Sequence, residues 1–148
     1  MKYIAHRGLF NGPEPVFENQ PKQILLALSK GYDCEVDLRV EHGDFYLGHD
    51  TAQYAVNIEF LETPGLWIHA KNLAAVQHLL KSGLNWFWHQ TDDFTITRSG
   101  HIWTYPGCEI TTQSVMVMPE TLDTKLEKSY NVNCYAICSD FVELLRNR

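Results

Sequence analysis

Four of the seven histidines in this sequence fall where predicted strands end: His6, His49, His69 and His89. A lone histidine at a strand end is usually a structural hydrogen-bonding group, whereas four of them together with nearby carboxylates favour a functional site. The imidazole ring titrates near neutral pH, so these residues suit general acid and base catalysis or metal binding. Predicted strand ends also carry other polar side chains, those of Lys71, Tyr105, Glu120 and Asp140.

Two carboxylates, Glu35 and Asp37, lie two residues apart in an alternating stretch and therefore point to the same face of a predicted strand. Like charges held this close repel each other, and a divalent cation would relieve that repulsion. Oxygen ligands of this kind suit Mg²⁺, Ca²⁺ or Mn²⁺. The alternative is a solvated strand face on which the two acids pair with Arg39 and a lysine. From the residues alone, both interpretations stay open.

Apolar periodicity predicts the elements that position these side chains. The predicted strands span residues 2–6, 34–40, 45–48, 66–70, 85–89, 95–97, 102–105, 114–118 and 136–138. Helices are predicted over about 20–30, 73–82, 119–129 and 141–145. Most of them are preceded by a capping residue or a proline, or are followed by a glycine. Residues 51–65 have the composition of a loop.

Strands that alternate with helical stretches indicate an α/β fold with a parallel sheet. An ordinary (β/α)8 barrel uses roughly 250 residues, and this chain has 148. No helical pattern lies between Gln90 and Met118, and the connection 107–113 is too short for a helical crossover. We therefore expect a compact (β/α)8-type TIM barrel with reduced or missing helices in its second half, formed by one domain over residues 1–148. An open sheet is the alternative.

The composition limits the classes of partner. Hydrophobic residues make up 45% and charged residues 20% of the chain, which is typical of a globular protein. The formal net charge of −6, without any block of Lys and Arg, disfavours nucleic acid as a partner. No apolar run approaches the roughly 20 residues of a membrane span. The first residues do not form a signal peptide, and the four cysteines are expected to be reduced, so we expect a cytoplasmic protein.

Four short motifs carry a resemblance to a known family. They are residues 4–8 (IAHRG), 18–19 (EN), 35–39 (EVDLR) and 48–50 (GHD). In order and spacing they resemble the glycerophosphodiester phosphodiesterase family, which has a barrel like that of phosphatidylinositol phospholipase C. A weaker similarity continues at residues 68–71 (IHAK) and 102–104 (IWT), whereas the helical insertion usual after the HD pair is not evident.

The resemblance implies roles for residues at the matching positions. His6 and His49 would be the general acid and base, while Arg7 and Lys71 would bind the phosphate. We add His89 as a further substrate-binding residue because it ends the neighbouring predicted strand. Two histidines suit the task, since cleavage of a phosphodiester needs one proton removed and one proton given.

The resemblance also implies a divalent metal ion. Glu35 and Asp37 would be ligands, and Glu18 would be a metal-binding or supporting carboxylate at the mouth, with Asn19 supporting its loop. The family's third metal carboxylate falls at His69, which makes the ligand set less anionic. That change disfavours Mg²⁺ or Ca²⁺ and favours Mn²⁺ or Zn²⁺, or a site without metal.

The leading hypothesis is therefore a metal-assisted phosphodiester hydrolase that acts on a small or lipid-derived glycerophosphodiester-like substrate. The alternative is a non-catalytic module that binds a phosphate or a sugar phosphate on a reduced barrel. His69 and the short chain favour the module, whereas the presence of both His6 and His49 favours the enzyme. A zinc hydrolase acting on amides through the histidines ranks last, because the sequence lacks a His-x-His pair.

Overall fold

The fold is that of a computed structural model that describes residues 1–148 apart from the side chain of Tyr130. The strands are β1 (Lys2–Ala5), β2 (Asp33–Glu41), β3 (Asp44–Leu47), β4 (Tyr54–Val56), β5 (Leu66–Ala70), β6 (Trp86–Trp88), β7 (Phe94–Ile96), β8 (Ile102–Thr104), β9 (Ser114–Val117) and β10 (Ala136–Ser139). The α-helices are α1 (Pro21–Ser29), α2 (Ile58–Leu61), α3 (Leu73–Leu79) and α4 (Val142–Arg146).

All of these strands belong to one curled sheet. Its parallel part runs in the order β6, β5, β2, β1, β10, β9 and β8. The strands β3 and β4 extend it in antiparallel fashion beside β2, and β7 is antiparallel to β8. The curl brings the rings of Trp67 on β5 and Trp103 on β8 to 6.2 Å, although four strands separate them in the order of the sheet.

The expectation of a compact (β/α)8-type TIM barrel is wrong. No backbone ladder joins β6 to β7 among the described residues, so the sheet curls without closing. The α-helices of the described chain number four and are four to nine residues long, so helices are reduced along the whole chain. The physical reason is the length of the connections. Residues 105–113, which join the parallel strands β8 and β9, are fewer than the roughly 10–12 that a helical crossover needs.

Two local predictions are also wrong. Residues 119–129 form no α-helix but 3₁₀ turns at Pro119–Thr121 and at Glu127–Asn131. Leu126 within this segment adopts left-handed backbone angles, which a right-handed α-helix cannot contain, and so does Met118 just before it. The stretch 51–65 is not only loop, since it holds β4 and α2, and the side chain of Asn57 caps α2 by accepting a hydrogen bond from Phe60 N–H.

The alternation of β2 separates a packing face from a polar face. Cys34, Val36 and Leu38 are fully buried in the apolar core that α1 and α3 share with the sheet. Glu35 and Asp37 point to the opposite, concave side of the curl, and both are buried as well. An apolar layer on that concave side includes Trp67, Phe87 and Trp103 and lies beneath the two carboxylates.

The strand β2 also changes its neighbour along its length. Its first two residues pair with β1, whereas residues from Leu38 onward pair with β3. Between these partners the loop that follows β1 approaches β2, and Asp37 N–H donates to Asn19 Oδ1 over 2.9 Å. The two carboxylates therefore lie where a loop takes the place of a neighbouring strand.

None of the helices in the described part of the chain has the length and apolar composition needed to cross a membrane.

Candidate functional site

A cavity of about 530 Å³ opens on the concave side of the sheet, at the carboxyl ends of the parallel strands. In α/β folds this is where ligands bind. Of the nine site residues that the sequence indicates, the cavity is lined by eight: His6, Arg7, Glu35, Asp37, His49, His69, Lys71 and His89. The ninth, Glu18, lies behind them, where it accepts a hydrogen bond from Arg7 Nη1. The structure thus brings the predicted residues to one place.

Glu35, Asp37 and His69 form a cluster whose ligand atoms all lie within 4.8 Å of one another. The register of the sheet explains this, because Asp37 on β2 lies directly opposite His69 on β5. His69 Nδ1 is 3.4 Å from Asp37 Oδ1 and 3.6 Å from Glu35 Oε1. Neighbouring strands therefore present two oxygens and one nitrogen to the same point of the cavity.

The ring of His69 is fixed in its orientation from behind. Its Nε2–H donates to the backbone carbonyl of His89 over 2.8 Å, and the ring stacks on Phe87 at 4.7 Å. Burial disfavours the charged ring, but the adjacent carboxylates of Asp37 and Glu35 outweigh it and raise the pKa of His69 to about 9. In the ion-free protein His69 is therefore a cation that directs the Nδ1 proton at the carboxylates.

Asp37 is held as an anion in a fully buried position. Burial opposes its charge, yet His69, Arg7 and Asn19 together keep the pKa of this carboxyl well below its usual range. Its Oδ2 accepts a hydrogen bond from Asn19 Nδ2 over 2.9 Å and lies 3.0 Å from Arg7 Nε. Its Oδ1 accepts no hydrogen bond of good geometry among the described residues; the nearest cationic groups are His69 Nδ1 at 3.4 Å and Lys71 Nζ at 3.9 Å. This oxygen therefore keeps a free coordination position toward the cavity.

Arg7 enters the site through a strained turn. Its φ of 52° lies in the left-handed region, and Gly8 follows with a φ of 83° and no room for a side chain against Ile24. In this conformation the Arg7 backbone N–H donates to Glu35 Oε2 over 3.1 Å, while Nη1 donates to Glu18 Oε2 over 2.6 Å. Glu18 therefore orients Arg7 and is not part of the metal cluster of the described residues.

His6 is backed by a carboxylate. Its Nδ1 lies 2.9 Å from Asp140 Oδ1, so Nε2 is the nitrogen that remains for proton transfer. Asp140 follows β10, which pairs with β1 so that Ala5 lies opposite Ser139. Burial lowers the pKa of His6, but the hydrogen bond to Asp140 and the charge of Glu35 outweigh it, so the net shift is upward. His6 therefore holds its proton more firmly than an ordinary histidine.

Asp140 contacts the site through His6, and the sequence did not assign it a role there. In the sequence, only its position after a predicted strand indicated it. Its pairing with His6 could not be predicted, because that pairing depends on the contact of the first strand with the last. Glu120 supports it, since Glu120 Oε1 accepts from Asp140 N–H over 2.9 Å and from Ser139 Oγ over 2.8 Å. Burial raises the pKa of Glu120.

His49 lies at the rim of the cavity, with 40% of its side chain exposed, in contrast to the buried His6. Arg39 holds its loop, because Nη2 of Arg39 donates to the His49 carbonyl over 2.6 Å. This is a different role from the ion pair with Glu35 or Asp37 that a solvated strand face would give. The ring Nδ1 of His49 lies 2.7 Å from the exposed carboxylate of Asp50.

His89 and Lys71 complete the far wall. The ring of His89 lines the cavity, with its Nε2–H directed to the backbone carbonyl of Asp92. Lys71 follows β5 and extends its ammonium group toward Asp37. Its charge and that of Arg7 are the fixed cations in reach of a bound anion.

The cluster of Glu35, Asp37 and His69 fits a divalent cation. Two carboxylate oxygens and one imidazole nitrogen converge, and the His89 carbonyl holds His69 from behind, as partners of metal-bound histidines do. The buried Asp37 Oδ1 without a hydrogen bond is the vacant acceptor that such an ion would satisfy. The mixed oxygen and nitrogen set suits Mn²⁺ or Zn²⁺ better than Ca²⁺, and binding requires that Nδ1 of His69 release its proton.

The charges immediately around the cluster balance when His69 is protonated. Three carboxylates face three cations, and these groups are Glu18, Glu35, Asp37, Arg7, His69 and Lys71. A bound ion would therefore replace the proton on His69 and would not neutralise an excess of negative charge.

Comparison with protein-family models, with curated proteins and with solved structures found no match to this chain.

Proposed function

We propose that this protein is a metal-assisted phosphodiester hydrolase, similar in its site to the glycerophosphodiester phosphodiesterases, acting on a small or lipid-derived phosphodiester. One observation carries the proposal: a histidine backed by a carboxylate, a Glu–Asp–His cluster and two fixed cations line a single cavity. Phosphodiester hydrolysis needs all three, namely proton transfer, a place for a cation, and positive charge for the phosphate oxygens.

The two histidines differ in a way that suits divided roles. His6 is buried and keeps its proton because of Asp140, so we assign it as the general acid that protonates the leaving oxygen from Nε2. His49 is exposed at the rim, where water reaches it, so we assign it as the general base that removes the proton of the attacking hydroxyl or water.

The remaining residues bind and orient the phosphate. Arg7 and Lys71 lie on the Asp37 side of the cavity and can each turn a donor toward a phosphate oxygen. Glu35, Asp37 and His69 would hold a divalent ion, which would supply further positive charge for the phosphate. The rest of the pocket, including His89, limits where the two ester groups can lie.

A second candidate function is the binding module without turnover. The observation that favours it is the internal charge balance, since His69 already supplies the third cation that an ion would otherwise provide. In that case a phosphate group would bind to Arg7 and Lys71, and neither His6 nor His49 would affect the affinity strongly.

For location, we propose the cytoplasm, in keeping with four cysteines that are all free and three of which are buried. Free thiols are typical of reducing compartments. The partner we propose is a small molecule, and the acidic net charge of −6 supports this over nucleic acid.

The test begins with protein that has been stripped by a chelator and reloaded with Mg²⁺, Ca²⁺, Mn²⁺ or Zn²⁺ in turn. Each form is assayed with glycerophosphodiesters of different alcohols and with bis-p-nitrophenyl phosphate. Turnover with at least one ion, lost on renewed chelation, is the expected result. If no form turns over a substrate while phosphate esters bind and compete with one another, the binding module is the correct function.

A further inference from the structure

The convex side of β6, β7 and β8 carries a set of apolar side chains. The two indoles of β6 point outward, because Trp86 and Trp88 lie opposite residues of β5 that face the helix-covered core. On β7 and β8 the side chains that point outward are those that flank Thr95 and the inward-facing Trp103. The outward face of β6–β8 therefore consists of Trp86, Trp88, Phe94, Ile96 and Ile102.

Much of this outward face is in contact with water. Ile96 is 74% exposed, and Trp88 and Phe94 are exposed as well. Around β2 and β5, by contrast, α1 and α3 pack over the convex side of the sheet. A contiguous exposed apolar face on a folded protein is typical of an interaction surface.

The outward face has the shape of a ridge between two grooves. One groove, of about 480 Å³, lies between the end of α3 and β7 and is lined by Leu80 and Trp86. The other, of about 380 Å³, lies on the far side of β7 and is lined by Phe94 and Ile102. Ile96 lines both grooves, so its side chain forms the ridge. A ridge beside a groove can fit against a second copy of the same surface.

Opposite charges flank the exposed part of β7. Asp92 lies three residues before Thr95 and Arg98 three residues after it, and both side chains are exposed. Neither side chain forms an ion pair with a described residue. Arg98 Nε donates to the Ser82 carbonyl, and Asp92 accepts a hydrogen bond only at its backbone carbonyl. Each end of β7 therefore has a charge that is available to an outside partner, and the two charges differ in sign.

This pattern is complementary to itself when the strand direction is reversed. A two-fold axis through Thr95, perpendicular to the outward face, places Asp92 opposite Arg98 of the second copy. The same axis places Phe94 opposite Ile96 of the second copy, so that the ridge of one copy enters the groove that Phe94 lines. Each contact then occurs twice, as in all isologous interfaces. The charges therefore favour a second copy in antiparallel orientation over an unrelated apolar partner.

We propose that a second copy of this chain covers the outward face of β6–β8 in a two-fold symmetric dimer. The contact lies on the convex side of the sheet, whereas the site cavity opens on the concave side, so both site cavities of the dimer remain open. The face is small compared with the interfaces of stable complexes, so we expect a dissociation constant in the micromolar range or above. Dilute solutions then contain the monomer, in which Ile96 is exposed.

The test is sedimentation equilibrium of the full chain from micromolar to millimolar concentration, with a matched pair of variants. The wild type should follow a monomer–dimer equilibrium. Ile96→Ser should raise the dissociation constant at least about tenfold, because it removes an apolar anchor from both copies. Leu122→Ser is the control, since Leu122 is 66% exposed but lies outside both grooves. Its dissociation constant should equal that of the wild type.

A charge exchange tests the antiparallel orientation. Arg98→Asp and Asp92→Arg should each raise the dissociation constant roughly tenfold, because each turns two attractive pairs into two repulsive ones. The double variant Asp92→Arg/Arg98→Asp restores opposite charges across the axis and should recover most of the affinity. Circular dichroism of each variant ensures that a loss of the dimer is not a folding defect.

Four outcomes would overturn the inference. A monomer at every concentration would do so and would leave an unrelated partner as the cover of this face. Assemblies larger than a dimer would do so because a two-fold contact closes at two copies. Equal weakening by Ile96→Ser and Leu122→Ser would place the contact elsewhere, and a double charge variant no better than the single variants would exclude the antiparallel orientation. None of these results depends on turnover, so they leave the proposed hydrolase function untouched.

Discussion

The two halves of the curled sheet are covered to different extents. Around β2 and β5, the helices α1 and α3 pack on the convex face, and side chains such as Val36 and Ile68 are fully buried there. Around β6 and β7 there is no such cover among the described residues. Trp88, Phe94 and Ile96 remain exposed, Ile96 by 74%.

The two halves also contribute different kinds of side chain to the site. The covered half supplies the charged groups, from Arg7 to Lys71, which must be held in a fixed geometry against their own repulsion and desolvation. The uncovered half supplies apolar surfaces, namely the stacked rings of Phe87 and Trp103 next to His69. Helices cover the sheet where the charges are placed.

The largest expected effect concerns the two proposed catalytic histidines. His6→Ala and His49→Ala should each lower kcat/KM by ~10²–10⁴-fold, because each removes one proton transfer. The double variant should lose less than the product of the two, since the residues act as a unit. Steady-state kinetics with the metal-loaded protein measures this. His42→Asn, at an exposed turn with a left-handed backbone, is the control and should be unchanged.

If either histidine variant keeps wild-type activity, the acid and base assignment is wrong. Circular dichroism of each variant ensures that a loss is not a folding defect. His6 requires this check most, because its ring is largely buried against Asp140.

The next effect is on stability and compares a buried ring of the concave layer with an exposed side chain of the same half of the sheet. Phe87→Ala should lower the free energy of unfolding by about 3–5 kcal/mol, because it removes a buried ring that stacks on both His69 and Trp103. Ile96→Ala should change the free energy of unfolding by less than about 0.5 kcal/mol, since its side chain is already in water. Urea denaturation measures both, and equal losses would refute the contrast between the two faces.

A smaller effect comes from the metal cluster. At a concentration of Mn²⁺ or Zn²⁺ 100 times its dissociation constant, the folded state should gain about 2.7 kcal/mol, seen as a higher Tm. Glu35→Gln should abolish this gain, because the neutral amide is a poor metal ligand of nearly the same shape. Glu41→Gln changes an exposed carboxylate at the end of the same strand and should retain the gain. A gain that persists in Glu35→Gln would place the ion elsewhere.

The smallest effect is a pH dependence of stability that His6 introduces. Its folded-state pKa is raised above the unfolded value, with Asp140 and Glu35 favouring the charged ring against burial and Arg7. The resulting stabilisation is fully present below the ordinary histidine pKa and is lost as the pH rises through the raised value. Asp140→Asn should therefore cost about 1 kcal/mol at acidic pH and less at alkaline pH, as urea denaturation in the presence of chelator would show.

The same substitution affects catalysis in a matching direction. The alkaline limb of the kcat/KM profile should move to lower pH in Asp140→Asn, because His6 then loses its proton earlier. A cost in stability that is equal at all pH values, with an unmoved limb, would mean that Asp140 has only a packing role.

The face of β2 that carries Glu35 and Asp37 could be predicted from sequence, because alternation with Cys34, Val36 and Leu38 is a local property. The same local signal located β5 and therefore His69. The pairing of His6 with Asp140 could not be predicted, since it depends on which strands become neighbours. The prediction of a closed barrel was wrong for the same reason, because apolar periodicity does not reveal whether β6 and β7 pair.

The helix predicted over 119–129 shows a different limit. Its apolar spacing is compatible with a helix, but the side chain of Asp123 bonds to backbone N–H groups of its own turn. Such local hydrogen bonds compete with helical ones.

The contact between β1 and β10 has a consequence for co-translational folding. The strand β1 is synthesised well before β10, its partner on one side through Lys2 opposite Ala136 and Ala5 opposite Ser139. Pairing of such distant segments carries a large loop-closure entropy and slows folding. Ile4 can pair with β2 early, whereas its pairing with β10 and the contact of His6 with Asp140 form only after residues 136–140 have emerged.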